Sequence, residues 1–375
     1  MVKKNQGEIM LFKKKFGLAG IILIVLILVG MLALPKKLLP PAKETSSNQL
    51  KIGYFHGGRT MLLYRAYINN EFDKENIPLS LITKVLYQPD FYTIPKSYED
   101  IKNIGLYGKA TGGELIDEVI KGNFAGATPG EASFISAASQ NLPIVAVAQL
   151  GHDVKGQAGH AIIFRKDVTI SQPSDIKGKT LASRRAGDGD GVFLREFLAS
   201  IGLDPQKDVK ILDKVIDDEL NQALKKGSID GGYYHLMSIE KLVENDQAYV
   251  FRKLDWLNPE LSQALLIFHK DFVKNHPDQV EKVIRAYMKR IKYEHGLSKE
   301  ERLKDPGKGY QKGLQMEKDF QGMNLPQYDL PPKVSRELLD QMQDLLLKYK
   351  YIDKKADLSK FIDNSFVEKI YEELK

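Results

Sequence analysis

The sequence predicts an α/β protein of two lobes with largely parallel sheets, and three observations predict it. Short apolar strands alternate with amphipathic helices along the body of the chain. Glycine-containing loops join several strands to the helices that follow them. At 375 residues and 43% hydrophobic content the chain can fill two cores of ordinary size.

The elements follow in order from residue 50. Lys51 to Phe55 alternates as a strand, His56-Gly57-Gly58-Arg59 is a glycine loop, and Thr60 through Phe72 has helical periodicity. Leu79 to Leu86 is a second strand, the Tyr- and Pro-rich stretch from Leu86 to Tyr98 reads as an insertion, and Gly113 to Lys121 is a helix. Phe124 to Ala127 is a small-residue strand. Thr128-Pro129-Gly130-Glu131 then combines a hydroxyl cap, proline at the first helical position and an acid three residues after the cap, predicting a helix to about Gln140. Ile144 to Leu150 and Ala161 to Arg165 are buried strands separated by a loop containing His152 and His160.

Lys179 to Ser183 opens a second unit of the same grammar: a strand, the loop Arg184 to Gly191, and a helix from about Gly191 to Ile201 ended by Gly202. Val209 to Leu212, Asp218 to Lys226 and the short strand at Gly231-Gly232-Tyr233 complete it. Ala264 to Phe268 is one more apolar strand, and Pro277 to Tyr293, Val334 to Tyr349 and Ser365 to Leu374 are amphipathic helices.

Charge narrows the partners. The formal net charge is +6, but residues 1–50 hold eight lysines against two glutamates, which accounts for all of it. The remaining chain balances 47 basic against 47 acidic residues, so no global field recruits nucleic acid. Phe16 to Pro35 is twenty residues without a charge, reaching about 30 Å as a helix, the thickness of a bilayer core. Lys3, Lys4 and Lys13 to Lys15 precede it, which favours a cytoplasmic N-terminus over residues 1–15, a membrane anchor over 16–35, a solvated linker over 36–49 and an extracytoplasmic body. A cleaved signal segment with secretion is the competing reading. The chain has no cysteine, which excludes disulfides, thiolate metal sites and a lipid-modified cysteine tether.

Open α/β sheets leave a crevice at the carboxyl ends of their strands, where helix N-termini present unpaired N–H groups. Four loops qualify as ligand-binding candidates. The first is His56, Gly57, Gly58 and Arg59, with a guanidinium for an anion. The second is Thr128, Pro129 and Gly130, whose alternative is a plain helix cap. The third is Arg184, Arg185, Gly187, Asp188 and Gly189; a calcium loop fails there because Val192 occupies the third oxygen position after Asp188 and Asp190, and the Gly-Lys-Ser/Thr ending of a phosphate loop is absent. The fourth is Tyr233, Tyr234 and His235, aromatics that could wall an organic ligand or simply pack. His160 joins them, and His56, His152, His160 and His235 map near one crevice, yet no spacing among them is diagnostic of a metal, so neither metal nor cofactor is expected. Arg59, Arg184 and Arg185 suit an anion, whereas Glu131, Asp188 and Asp190 suit an amine; a zwitterion satisfies both.

Four stretches in this order, Gly113 to Leu150, Ser171 to Leu203, Ala223 to Asn245 and Ala264 to Ile291, resemble the nitrate, sulfonate, taurine and thiamine-precursor family of type II periplasmic binding proteins. The resemblance implies one lobe from 50–152 plus 256–375 and a second from 153–255, two crossings that act as hinges, and a solute gripped between the lobes. It further implies a small anionic or zwitterionic ligand of the sulfonate, taurine, nitrate or pyrimidine class. The implied partners are ABC permease and ATPase subunits, with a monomeric chain and no enzymatic activity. Two alternatives share the fold: a ligand-sensing domain for another membrane partner, and an enzyme like the thiamine-pyrimidine synthases, whose cysteine-rich motif this chain lacks.

Overall fold

The computed structural model describes residues 49–55, 57–84, 90–94, 96, 110–155, 159–184, 189–215, 217–254, 256–298, 301 and 326–375. The apolar stretch Phe16 to Pro35 with its flanks, and the candidates His56, Arg185, Gly187 and Asp188, lie outside the described residues. Among the described residues no helix is long and apolar enough to cross a membrane.

Eleven strands are described: β1 (Leu50–Gly53), β2 (Leu79–Lys84), β3 (Phe91–Thr93), β4 (Gly126–Ala127), β5 (Ile144–His152), β6 (His160–Arg165), β7 (Thr180–Arg184), β8 (Lys210–Val215), β9 (Gly231–His235), β10 (Ala248–Lys253) and β11 (Gln263–His269). They form two sheets. The first has the order β3-β2-β1-β4-β11-β5 and the second β10-β6-β9-β7-β8. Every strand of the second sheet lies between His160 and Lys253, and the chain passes from one sheet to the other after β5 and again after β10.

The sheets are mixed, which corrects the expectation of largely parallel ones. In the first, β1 runs parallel to β2 and β4, but β11 is antiparallel to both β4 and β5, and β3 is antiparallel to β2. In the second, β7 is parallel to β8 and β9 while β6 is antiparallel to β9 and β10. The strands that arrive from the other sheet are not products of a right-handed strand–helix–strand crossover within their own sheet, so nothing enforces parallel pairing there. Two strands, β3 and β10, were not foreseen. Both are edge strands with one neighbour and mostly half-buried or exposed residues, so their apolar pattern is weak.

Helices flank the sheets: α1 (Met61–Ile68), α2 (Glu71–Lys74), α3 (Gly112–Ile120), α4 (Glu131–Ser139), α5 (Gly189–Ser200), α6 (Asp217–Lys225), α7 (Leu236–Glu244), α8 (Lys270–Asn275), α9 (Pro277–His295), α10 (Arg336–Lys348) and α11 (Ser365–Leu374). The predicted start of α4 is also corrected: Gly130 is the N-cap and the helix opens at Glu131. Thr128 does not cap it. Its Oγ1 accepts from the Phe55 N–H at 2.8 Å and its own N–H donates to the Gly53 carbonyl at 2.9 Å, so a tertiary partner from the end of β1 outcompetes the local cap.

Packing explains the strand lengths and the glycines. All nine residues of β5 are buried, because α1, α9 and α11 cover one face of the first sheet and α3 and α4 the other. Gly232 lets β9 lie beside β7: a Cβ there would sit 2.0 Å from the Ala182 carbonyl oxygen, which is backbone and cannot move aside. Leu339, Met342 and Leu346 of α10 join one apolar cluster with Ile135 of α4 and Val192 and Phe193 of α5, so the core continues across the seam between the sheets. Beyond α10, the Tyr351 hydroxyl donates to Asp213 Oδ2 at 2.8 Å and accepts from Arg195 Nη1 at 2.7 Å, pinning the C-terminal segment to the second sheet.

Candidate ligand site at the seam

Both sheets send ionisable side chains to one junction. From the first, the chain leaving β1 makes a tight 3-10 turn, Gly58–Thr60, that presents Arg59, and α4 presents its first residue, Glu131. From the second, β7 ends at Arg184, β9 ends at His235, and the first turn of α5 supplies Gly189 and Asp190. A cavity of about 20 Å³ lies between them, lined by Phe55, Arg59, Gly130, Glu131, Arg184 and Asp190 together with Gly112, Ala132, Ser133 and Gly189. That is room for about one water molecule. The glycines set the spacing: a Cβ on Gly189 would meet Glu131 Oε1 at 2.5 Å, and one on Gly112 would meet Ser133 Oγ at 2.6 Å.

On the second-sheet side the charges are tightly paired. Arg184 Nε donates to Asp190 Oδ2 at 2.7 Å, and Arg184 Nη2 contacts His235 Nε2, which lies 2.9 Å from the same Asp190 oxygen. His235 Nδ1 meets His160 Nε2 at 2.7 Å across the β6–β9 register, and His160 Nδ1 lies 2.5 Å from Asp153 Oδ2. One proton arrangement joins the two rings and Arg184 without added charge, and it leaves the Arg184 guanidinium as the donor to Asp190. His160 Nδ1–H faces Asp153, His235 Nδ1–H donates to His160 Nε2, and the bare His235 Nε2 accepts from Arg184. Burial, reinforced by the adjacent Arg184 charge, holds His235 down to about 3, consistent with a neutral ring. Burial would raise Asp190, but the Arg184 guanidinium outweighs it and holds the carboxyl well below the usual carboxylate range. Asp153 is also lowered: its burial is outweighed by His160. Tyr233 is fully buried, stacks on His160 with ring centroids 5.5 Å apart, and has no hydrogen-bond partner for its hydroxyl among the described residues.

On the first-sheet side the pairing is looser. Arg59 Nη1 donates to Ser262 Oγ and lies 3.7 Å from Glu131 Oε2, which accepts from the Gln263 N–H at 3.1 Å. Glu131 is only 3% exposed. Burial pushes its carboxyl up to about 7, against the opposing pull of Arg59.

The structure therefore brings Arg59, Gly130, Arg184 and Gly189 to the cavity and places His160, Tyr233 and His235 directly behind Asp190 and Arg184. Gly57, Gly58, Thr128, Pro129 and Tyr234 do not line the cavity among the described residues. The Gly57 carbonyl accepts from the Thr60 N–H and hydroxyl, and the Gly58 carbonyl accepts from the Tyr328 hydroxyl, so these residues shape the turn. Thr128 braces the end of β1, and the Pro129 carbonyl accepts from the Leu265 N–H at 3.0 Å. Strand alternation turns Tyr234 to the opposite face from Tyr233, where its hydroxyl donates to the Leu220 carbonyl at 3.2 Å in a separate core cluster. His152 turns to Asp329, 3.1 Å away; burial would lower it, but Asp329 raises it. Sequence reasoning missed Asp153 and Ser262. Asp153 sits between His152 and His160 at the crossing, and that juxtaposition was the available signal. No group of three or more His, Asp or Glu among the described residues is arranged to hold a metal ion.

The two-sheet α/β fold is that of the periplasmic binding proteins among solved structures. The ligand-binding component of an ABC-type import system from Staphylococcus aureus, solved with zinc bound, superposes with a TM-score of 0.64 at 13% identity, over 86% of this chain and 99% of its own. The periplasmic aliphatic sulphonate-binding protein of Escherichia coli gives 0.61 at 15% identity, over 85% and 92%. The periplasmic nitrate-binding protein of Synechocystis gives 0.62 at 12% identity, over 88% and 89%. A comparison with curated protein sequences returns no match. Residues 104–296, more than half of the chain, match the NMT1/THI5 like family, and the chain belongs to that family.

Proposed function

We propose that this chain is the extracytoplasmic solute-binding component of an ABC importer, not an enzyme, and that it holds a small anionic or zwitterionic molecule between two hinged lobes. The observation that carries the reading is the convergence of Arg59 and Glu131 from one sheet with Arg184 and Asp190 from the other on a single cavity at the seam. The relatives point the same way: solved neighbours are binding components for aliphatic sulphonates and for nitrate. The lobes are 50–152 plus 256–375 and 153–255, with the crossings after β5 and β10 as hinges. Because the cavity holds no more than about one water, a solute enters only when the lobes part, and closure around it is the state that permease and ATPase partners would read.

The test is a thermal-shift screen of the full chain against sulfonates, nitrate, bicarbonate, pyrimidines and zwitterionic amines, since a ligand bound only by the folded state raises the melting temperature. A specific hit is expected, and Arg59→Ala should weaken it by about tenfold, or about 1.4 kcal/mol. No shift with any compound rejects the reading, and turnover of a hit would replace it with catalysis.

Phe16 to Pro35 anchors the protein in this proposal, with residues 1–15 inside the cell. The protein is then expected to stay in the membrane fraction after an alkaline carbonate wash, with Met1 intact by N-terminal mass analysis. Release of a chain shortened past residue 30 would instead establish a cleaved leader.

A further inference from the structure

The cavity-lining charges balance. Among the described residues two guanidiniums, Arg59 and Arg184, face two carboxyls, Glu131 and Asp190, so the lining is neutral once Glu131 is ionised, above about pH 7. A simple anion admitted here adds an uncompensated negative charge to a site shielded from water, whereas a zwitterion leaves the balance intact.

The two acids differ in what they already have. Asp190 receives the charged Arg184 Nε–H at 2.7 Å, so a guanidinium in direct contact already offsets its charge. Glu131 accepts from backbone N–H groups, its own and that of Gln263 at 3.1 Å, but its guanidinium partner is 3.7 Å away and already donates to Ser262. Its other oxygen points across the seam toward Gly189, where a Cβ would come within 2.5 Å, so glycine alone admits so close an approach. Glu131 is thus a buried carboxyl at the cavity wall whose one ion pair among the described residues is the 3.7 Å approach of Arg59.

We propose that Glu131 is the specificity residue of the cleft and recognises a protonated amine on the solute, so that a zwitterion is selected over an anion of the same shape. The proposal rests on the binding-protein reading above and narrows its ligand class. An ammonium supplies a charge-assisted donor nearer than the 3.7 Å guanidinium, while that Arg59 guanidinium meets the solute's anionic end. Burial pushes the Glu131 carboxyl up to about 7, as expected of an acid that needs a proton or a cation from outside.

The experiment uses matched pairs in which an ammonium is exchanged for a methyl group: taurine against propane-1-sulfonate, and β-alanine against butyrate. Calorimetric titration of the full chain at pH 8 is expected to favour the amine of at least one pair by about tenfold or more. Glu131→Gln should abolish the difference within that pair, and Glu131→Asp, which keeps the charge, should retain part of it. Equal or tighter binding of the methyl compound overturns the amine assignment, as does equal weakening of both members by Glu131→Gln or a screen hit that carries no protonated nitrogen. Each of those outcomes leaves the binding-protein reading standing. The absence of any ligand from the whole screen defeats that reading, and this inference with it.

Discussion

Asp190→Asn is expected to cost about 3–5 kcal/mol of folding stability, measured by urea denaturation near neutral pH, because it breaks a buried ion pair from one side only. Asp190 is 4% exposed and accepts from Arg184 Nε at 2.7 Å, with His235 Nε2 at 2.9 Å from the same oxygen. The amide takes away the charge that offsets the desolvation of the guanidinium. The paired variant Arg184→Gln/Asp190→Asn removes both charges and is expected to recover most of the loss, since the cost lies in the uncompensated cation more than in the missing attraction. A loss below about 1 kcal/mol in the single variant would mean that solvent screens the pair as it does at a surface.

A pH series should expose two opposing titrations in the same site. Glu131 is raised from 4.5 to about 7. Between those values the folded state holds a proton that the unfolded chain has released, so this group's stabilisation is present at low pH and lost as pH rises to about 7. His235 is lowered from 6.5 to about 3. Between those values the unfolded chain holds the extra proton, so this contribution is present above about 6.5 and lost as pH falls. The two slopes cancel from about 4.5 to 6.5. Wild-type stability is therefore expected to be nearly flat with respect to this pair over that range. Glu131→Gln leaves His235 unopposed, and stability should then rise with pH by up to about 1.4 kcal/mol per unit. His235→Gln should produce a fall of similar size. Asp153 and Asp190, both lowered, add losses only as pH drops below the ordinary carboxylate range. Variants whose pH profiles match the wild type would show that neither group differs between the folded and unfolded states.

The order of elements was largely legible because its signals are local. The apolar run Ile144 to Leu150, the glycine loop before Met61–Ile68 and the terminal helix Ser365–Leu374 each announce themselves within about ten residues. The misread start of α4 shows the limit of local signals. Thr128-Pro129-Gly130-Glu131 has every mark of a capped helix, yet the Phe55 N–H, 73 residues upstream in sequence, takes the hydroxyl. Strand directions were misjudged for a related reason: alternation of strands and helices implies parallel crossovers only while the chain stays in one sheet, and here it leaves and returns.

By itself the sequence determined a balanced, cysteine-free α/β body behind a twenty-residue apolar stretch, with arginine, glycine and histidine concentrated in the loops that follow strands. Only the tertiary structure decided which of those residues meet. His160 and His235 are 75 residues apart, and it is the antiparallel β6–β9 register that brings their rings to 2.7 Å. Tyr233 and Tyr234 are neighbours in sequence, and the pleat of the same strand sends them to different cores. Charge pairing is a property of distance and burial, which composition cannot encode. That is why Asp190 emerges with a guanidinium in hydrogen-bond contact and Glu131 with one only at 3.7 Å, although the sequence presents both simply as acids at the start of a helix.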